Sequence, residues 1–169
     1  MTDSTQILVG TEGERVWIRV EGRGSFQNSP GLRDFSRQMI QRGHRAFTVD
    51  LLGCPVMDST FMGTLAGIAL RLREQGGGHL EVVRANERNT DLLRNLGLDQ
   101  LFTLRDSATG NPAPTALTET GAATPGDDKS AAARAMLEAH EALVEASPAN
   151  LPKFKDVLEY LKQDLGNPH

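Results

Sequence analysis

The alternation of short β-type runs with helix-period stretches constrains this chain more than any other feature. Arg15-Val16-Trp17-Ile18-Arg19-Val20-Glu21 is rich in β-branched and aromatic residues and reads as a strand, as does Ala46 to Leu52, an apolar run interrupted by Asp50. Between them Leu32, Phe35, Met39 and Ile40 recur at helical spacing, giving a helix with one apolar face that stops near Gly43. A second helix carries the stripe Phe61, Leu65, Ile68, Ala69 and Leu72. It opens on the capping-type residues Asp58 and Ser59 and ends at Gly76-Gly77-Gly78. His79 to Val83 follows as a strand, Glu87 to Leu96 as a third helix with Gly97 just past its end, and Leu101 to Leu104 as a last short strand. Thr5 to Val9 is a candidate edge strand. Strands joined through helices imply right-handed crossovers, so the expected fold class is α/β, a mixed, largely parallel sheet with alternating helices.

Charge divides the chain in two. Met1 to Asp106 holds 13 Arg, no Lys and 13 acids and is neutral, whereas Ser107 to His169 holds four Lys, one Arg and nine acids and carries the whole net charge of −4. At the join lie Asn111-Pro112-Ala113-Pro114 and Gly121-Ala122-Ala123-Thr124-Pro125-Gly126, which have no apolar period with which to offset the entropy of ordering. The expected organisation is a domain over 1–106, a flexible linker over 107–127 and a C-terminal helical extension over 128–169. In the extension Ala132, Ala135, Met136, Ala139 and Leu143 form one stripe. Phe154, Val157, Leu158, Leu161 and Leu165 form another, opened by Asn150 as cap with Pro152 in the first turn. A helical hairpin turning around Ser147-Pro148-Ala149 buries little by itself. Its apolar faces therefore belong against the first domain, against a second copy in a homo-oligomer, or against a partner.

Several function classes are disfavoured. A net charge of −4 offers no broad cationic surface, so nucleic acid is not an expected partner. The longest nearly apolar stretch, Gly63 to Leu70, is far shorter than the ~20 residues a bilayer requires, so no membrane span is expected. The start Met1-Thr2-Asp3 lacks the basic and apolar regions of an export signal, and a cytoplasmic location is expected. His44, His79, His140 and His169 lack metal-ligand spacing, and His140-Glu141 has no second histidine to complete a zinc helix motif. Gly22-Arg23-Gly24 has Gln27 where a dinucleotide fingerprint needs glycine, and Gly76-Gly77-Gly78 lacks the Lys-Ser/Thr of a phosphate loop. Cys54, between Gly53 and Pro55, has no basic neighbour to activate it and reads as a small buried hydrophobe. Ser59 is flanked by Met57 and Phe61 rather than the glycines of a nucleophile elbow. Neither cofactor, nor metal, nor enzymatic activity is expected.

The segment Val49-Asp50-Leu51-Leu52-Gly53-Cys54-Pro55-Val56-Met57-Asp58-Ser59-Thr60-Phe61-Met62-Gly63 carries the most information. It resembles the signature of the STAS domain, the family of bacterial anti-sigma factor antagonists, in which a strand ending Asp-Leu leads to Met-Asp-Ser-Ser/Thr-Gly-Leu-Gly at a helix start. The likeness continues through the glycine turn, Leu80-Glu81-Val82-Val83 and Leu92-Leu93-Arg94-Asn95-Leu96-Gly97-Leu98-Asp99-Gln100-Leu101-Phe102, spanning roughly residues 5–106. The resemblance implies a non-enzymatic regulator. It would bind an anti-sigma factor that is itself a serine kinase and be switched by phosphorylation at Ser59, with Thr60 as fallback acceptor and Asp58 shaping the loop. Asp58, Ser59, Thr60, Phe61 and Met62 become the expected partner-binding residues. Phe61-Met62 stands where the family has Gly-Leu, and the two side chains either face the core or form a patch for a particular partner. Gly22-Arg23-Gly24-Ser25 replaces the family's Gly-Glu-Leu-Asp.

A serine at a helix start suits such a switch physically. Its oxygen can cap backbone N–H groups, and its hydroxyl lies at the domain edge. Phosphate adds about −1.5 to −2 charges, which the positive end of the helix dipole tolerates, while a partner docked there meets repulsion and desolvation. An alternative from a different class is a non-enzymatic oligomerisation or scaffolding module whose helical tail makes the assembly contact.

Overall fold

The structure is a computed structural model that describes residues 6–106, 114, 117–119 and 129–166. The first part runs β1 (Gln6–Glu12), β2 (Arg15–Glu21), α1 (Ser29–Gln41), β3 (Ala46–Asp50), α2 (Ser59–Gln75), β4 (His79–Val83), α3 (Glu87–Asn95) and β5 (Thr103–Arg105). Strand β1 pairs antiparallel with β2, and β2, β3, β4 and β5 pair in parallel in that order. The mixed, largely parallel sheet with alternating helices is therefore present, with a STAS-like arrangement.

Alternation along the strands builds the core. Val16, Ile18 and Val20 of β2, Phe47 and Val49 of β3, and Leu80 and Val82 of β4 all point to one side and are buried. They join Leu32 of α1, Phe61, Leu65 and Leu72 of α2, and Leu93 of α3 in a single apolar cluster. Residues of intervening parity occupy the other side of the sheet, and there Asp50 ends β3 fully buried. Its carboxylate accepts from Arg19 Nε of β2 at 3.2 Å, from Arg84 Nε just after β4 at 3.1 Å, and from the Leu52 backbone N–H at 3.1 Å. The second Arg84 nitrogen, Nη2, also bonds this carboxylate. One acid thus ties together the ends of three parallel strands.

One strand was not expected from the sequence. A two-residue strand β6 (Thr118–Glu119) lies within the segment expected to be a flexible linker and pairs antiparallel with β1, Leu8 opposite Glu119 and Val9 opposite Thr118. An outer strand presents a row of unpaired backbone groups, and a neighbouring extended segment can pair with them whatever its side chains. The other linker residues 107–113, 115, 116 and 120–127 lie outside the described residues. Asn150 directly precedes the last helix, at the cap position expected of it, and closes a single 3-10 turn, Pro148–Asn150; its Nδ2 donates to the carbonyls of Leu96 at 2.9 Å and Leu143 at 2.7 Å.

That turn joins α4 (Lys129–Ala146) to α5 (Leu151–Gly166), the expected hairpin. Of the three places open to it, the hairpin lies against the first domain of its own chain, with α4 on α2 and the turn on the end of α3. Lys153 Nζ adds a bond to the Asn95 carbonyl at 2.8 Å.

Because removal of Asp50 leaves two arginines facing an unpaired, dry position, Asp50→Ala is expected to lower unfolding stability by about 3 kcal/mol, the scale for a broken buried pair. Urea unfolding followed by Trp17 fluorescence measures it, and a change under about 1 kcal/mol would contradict this account.

Candidate functional site

The amino end of α2 is held by a loop-to-loop brace. Gly22 N–H donates to the Gly53 carbonyl at 2.8 Å, Gly24 N–H to the Val56 carbonyl at 3.0 Å, and Asp58 N–H to the Gly24 carbonyl at 2.9 Å. Position 24 has to be glycine, because a Cβ would stand 2.8 Å from the ring of buried Phe61. The loop after β2, which lacks the acids of the usual family pattern, thus serves as a strut for the loop before α2.

Asp58 is the cap of α2. Its backbone is extended, Oδ1 accepts from the Phe61 N–H at 2.8 Å, and Oδ2 reaches across to the Phe26 N–H at 2.9 Å. Ser59 is the first helical residue and half-buried. Its hydroxyl is therefore not consumed by capping. It lies 2.9 Å from Nε2 of His140 on α4, a residue 81 positions away. On the other side of that ring Nδ1 lies 2.7 Å from the Met136 carbonyl. A carbonyl only accepts, so Nδ1 carries the hydrogen, and Nε2 is the ring atom that pairs with the Ser59 hydroxyl. Phe154 of α5 meets the same imidazole edge-on with centroids 5.2 Å apart.

The neighbouring residues are placed differently. Thr60, Phe61 and Met62 are all buried, with Phe61 at 0% exposure. Of the two readings open for Phe61-Met62, the core position is the one observed, and neither they nor Thr60 offer a side chain at the surface in this arrangement. The apolar groups that do stand out nearby are Phe26, 49% exposed, and Leu52, 67% exposed, on the loops after β2 and β3. Phe26, a single apolar residue in a loop, has no period to mark it, and Leu52 lies past the end of β3, which stops at Asp50 instead of running on to Leu52 as expected. Cys54 is buried, and burial pushes its thiol above the ordinary value against the opposing backbone hydrogen bonds of Gly24 and Val56. Among the described residues no three His, Cys, Asp or Glu gather in a way that would hold a metal ion.

Beyond Ser59 the contact with α4 becomes a backbone crossing. A Cβ on Gly63 would overlap the Ala139 carbonyl, standing 2.6 Å from its carbon, and one on Gly67 would be 3.9 Å from Ala142 Cβ. Glu138 bridges to α1, 2.9 Å from Arg33 Nε and 3.2 Å from Arg37 Nη2.

The family described as "Mlab, STAS domain" matches residues 7–105, more than half of the chain. The chain belongs to this STAS domain family. Among solved structures, an anti-sigma factor antagonist from Mycobacterium paratuberculosis shares 21% identity, with 66% of this chain and 93% of that one covered and a TM-score of 0.57. The anti-sigma factor antagonist SpoIIAA in its unphosphorylated form gives 18% identity, coverage of 62% and 89%, and a TM-score of 0.50. The Bacillus cell fate determinant SpoIIAA in its phosphorylated form gives 19%, 63% and 95%, and 0.51. At these identities the likeness is one of fold. No curated protein matches the chain. The STAS match ends before the hairpin, so the helix that contacts Ser59 lies outside the family's matched region.

Since Asp58 serves two backbone donors at once, Asp58→Ala is expected to cost about 1–2 kcal/mol of stability. Its effect should also appear as faster amide exchange at Phe26 and Phe61, measurable by NMR. Unchanged exchange at both would refute the bridging role.

Proposed function

We propose that this STAS domain is a non-enzymatic regulator that binds a protein partner of the anti-sigma factor type and is switched by phosphorylation at Ser59. The observation that carries the reading is the position of Ser59: first residue of α2, beside a cap that is a different residue, with a hydroxyl that capping does not use and that meets the His140 ring of α4. In the transfer, Ser59 Oγ forms a bond to the γ-phosphorus of ATP, the bond from that phosphorus to ADP breaks, and the hydroxyl proton passes to a base on the kinase. The product phosphate faces the free N–H groups of the first helical turn and the positive helix end, which accommodate it without unfolding. The reading gains support from SpoIIAA, whose two forms, phosphorylated and not, resemble this chain equally in fold. Asp58, Phe26 and Leu52 frame the surface a partner would meet. Thr60, being buried, is the weaker acceptor.

Incubating the full chain with ATP and a serine kinase of the anti-sigma factor type, then mapping phosphate by mass spectrometry, should locate the label at Ser59 and lose it in Ser59→Ala. Ser59→Asp should bind that kinase at least tenfold more weakly than wild type. Label elsewhere only, together with equal affinity of both proteins, would overturn the proposal.

One observation favours a second reading, the assembly module. With α4 packed in cis, α5 still presents Val157, 39% exposed, and Tyr160, 68% exposed, one helical turn apart. If this pair joins two copies, light scattering of the full chain gives a dimer mass that Tyr160→Glu halves. A monomer in wild type removes this reading.

A further inference from the structure

We infer that α4 is a tethered occupant of the face of α2 below Ser59, one that must lift before a kinase can reach the Ser59 hydroxyl. The inference rests on the reading of Ser59 as a modification site.

Three features of the seam carry it. First, the crossing is built from the smallest side chains available: Gly63 and Gly67 on one side, buried Ala135, Ala139 and Ala142 on the other. Close backbone approach gives good complementarity there, and the alanines around His140 bury little apolar area compared with Leu143 further along α4, which is fully buried in the common core. Second, the charges are complementary. The cleft of about 280 Å³ between α1, α2 and α4 is lined by Arg33, Arg37 and Arg71 from the first domain and by Glu138, Glu141 and Glu145 from α4. Third, Ser59 is half-buried and its hydroxyl is engaged by His140 Nε2 at 2.9 Å, so α4 stands where a kinase active site would have to close over that oxygen. Seating of α4 and modification of Ser59 oppose each other, and each weakens the other by the same factor. At its turn the hairpin remains fixed by Asn150 on Leu96. Asn150 also bonds the Leu143 carbonyl at 2.7 Å, and Leu143 is fully buried, so the part of α4 that lifts is the stretch around His140, ahead of Leu143.

The 3.9 Å spacing at Gly67 and Ala142 suits a disulfide, for which Cβ atoms stand about 3.5–4.5 Å apart. Gly67→Cys/Ala142→Cys in the full chain should therefore lock α4 in place when oxidised. Buried Cys54 does not compete for the oxidant. We expect amide exchange across α4 to slow at least tenfold on oxidation, with exchange in β3 and β4 unchanged. Ser59 phosphorylation by the same anti-sigma-factor-type serine kinase should fall at least tenfold and return on reduction. Glu138→Arg, an exposed change that sets like charges against Arg33 and Arg37, should speed both, and it covers the case in which the cysteine pair fails to fold. Equal α4 exchange in oxidised and reduced protein, and no gain in Glu138→Arg, would overturn the tethered occupant. A lock that slows α4 exchange while Ser59 takes no phosphate in any form would support the occupant and refute the phosphorylation reading instead.

Discussion

A missing side chain at position 63 decides how the two halves of this chain meet. The Ala139 backbone passes so close to Gly63 that even a methyl group would displace it, and every other contact of the hairpin with α2 follows from that crossing. Once α4 is set there, His140 falls beside Ser59, Glu138 falls between Arg33 and Arg37, and Leu143 enters the common core. Gly63 is part of the STAS signature, and here it also makes room for a helix that lies outside the matched region. Shape complementarity at the helix start and at the crossing thus depend on the same short stretch of sequence.

Most of the fold was legible from periodicity. The apolar parity of β2 and the 3.6-residue stripe of α2 each repeat often enough to declare their element and its buried face. Elements without repetition were not legible. Strand β6 is two residues long and exists because β1 has an edge to satisfy, which no property of Thr118 or Glu119 announces. Asn150 has the chemistry of a cap, and only the tertiary arrangement sends its amide to Leu96 and Leu143. The site divides the same way. Asp58 and Ser59 were visible from helix-start chemistry, although their roles separate: Asp58 holds the helix and Ser59 is left over. His140 was visible only as a lone histidine, because 81 residues intervene and a single side chain carries no spacing.

The neutral first part and the acidic last part acquire a physical meaning together. Arg33 and Arg37 meet a glutamate that is 45% exposed, so these pairs are solvated and each contributes on the order of 0–1 kcal/mol, diminishing as salt rises. They orient α4 more than they hold it. Asp50 represents the opposite regime, since its carboxylate is dry and its arginines have no alternative partner of comparable geometry. The chain therefore places its strong electrostatics inside the sheet, where the architecture must not change, and its weak electrostatics across the hairpin seam.

That distribution bears on what a single phosphate could do. A phosphoserine at the first position of a helix finds N–H donors and a favourable dipole in its own helix, so its cost is not charged to the sheet. The energy it carries can be spent only on whatever occupies the space beyond the hydroxyl, and in this chain that is an imidazole held by its own helix carbonyl. Coupling between two sites is commonly about 1–3 kcal/mol, a five- to 150-fold change in an equilibrium. The part of the seam around His140, made of alanines, glycines, one hydrogen bond and two solvated ion pairs, lies within reach of a coupling of that size. Leu143 beyond it does not, because a fully buried large aliphatic side chain contributes about 1.5–3 kcal/mol. The small residues at the crossing are thus the feature that would let a surface modification lift the stretch of α4 around His140 while Leu143 holds the rest.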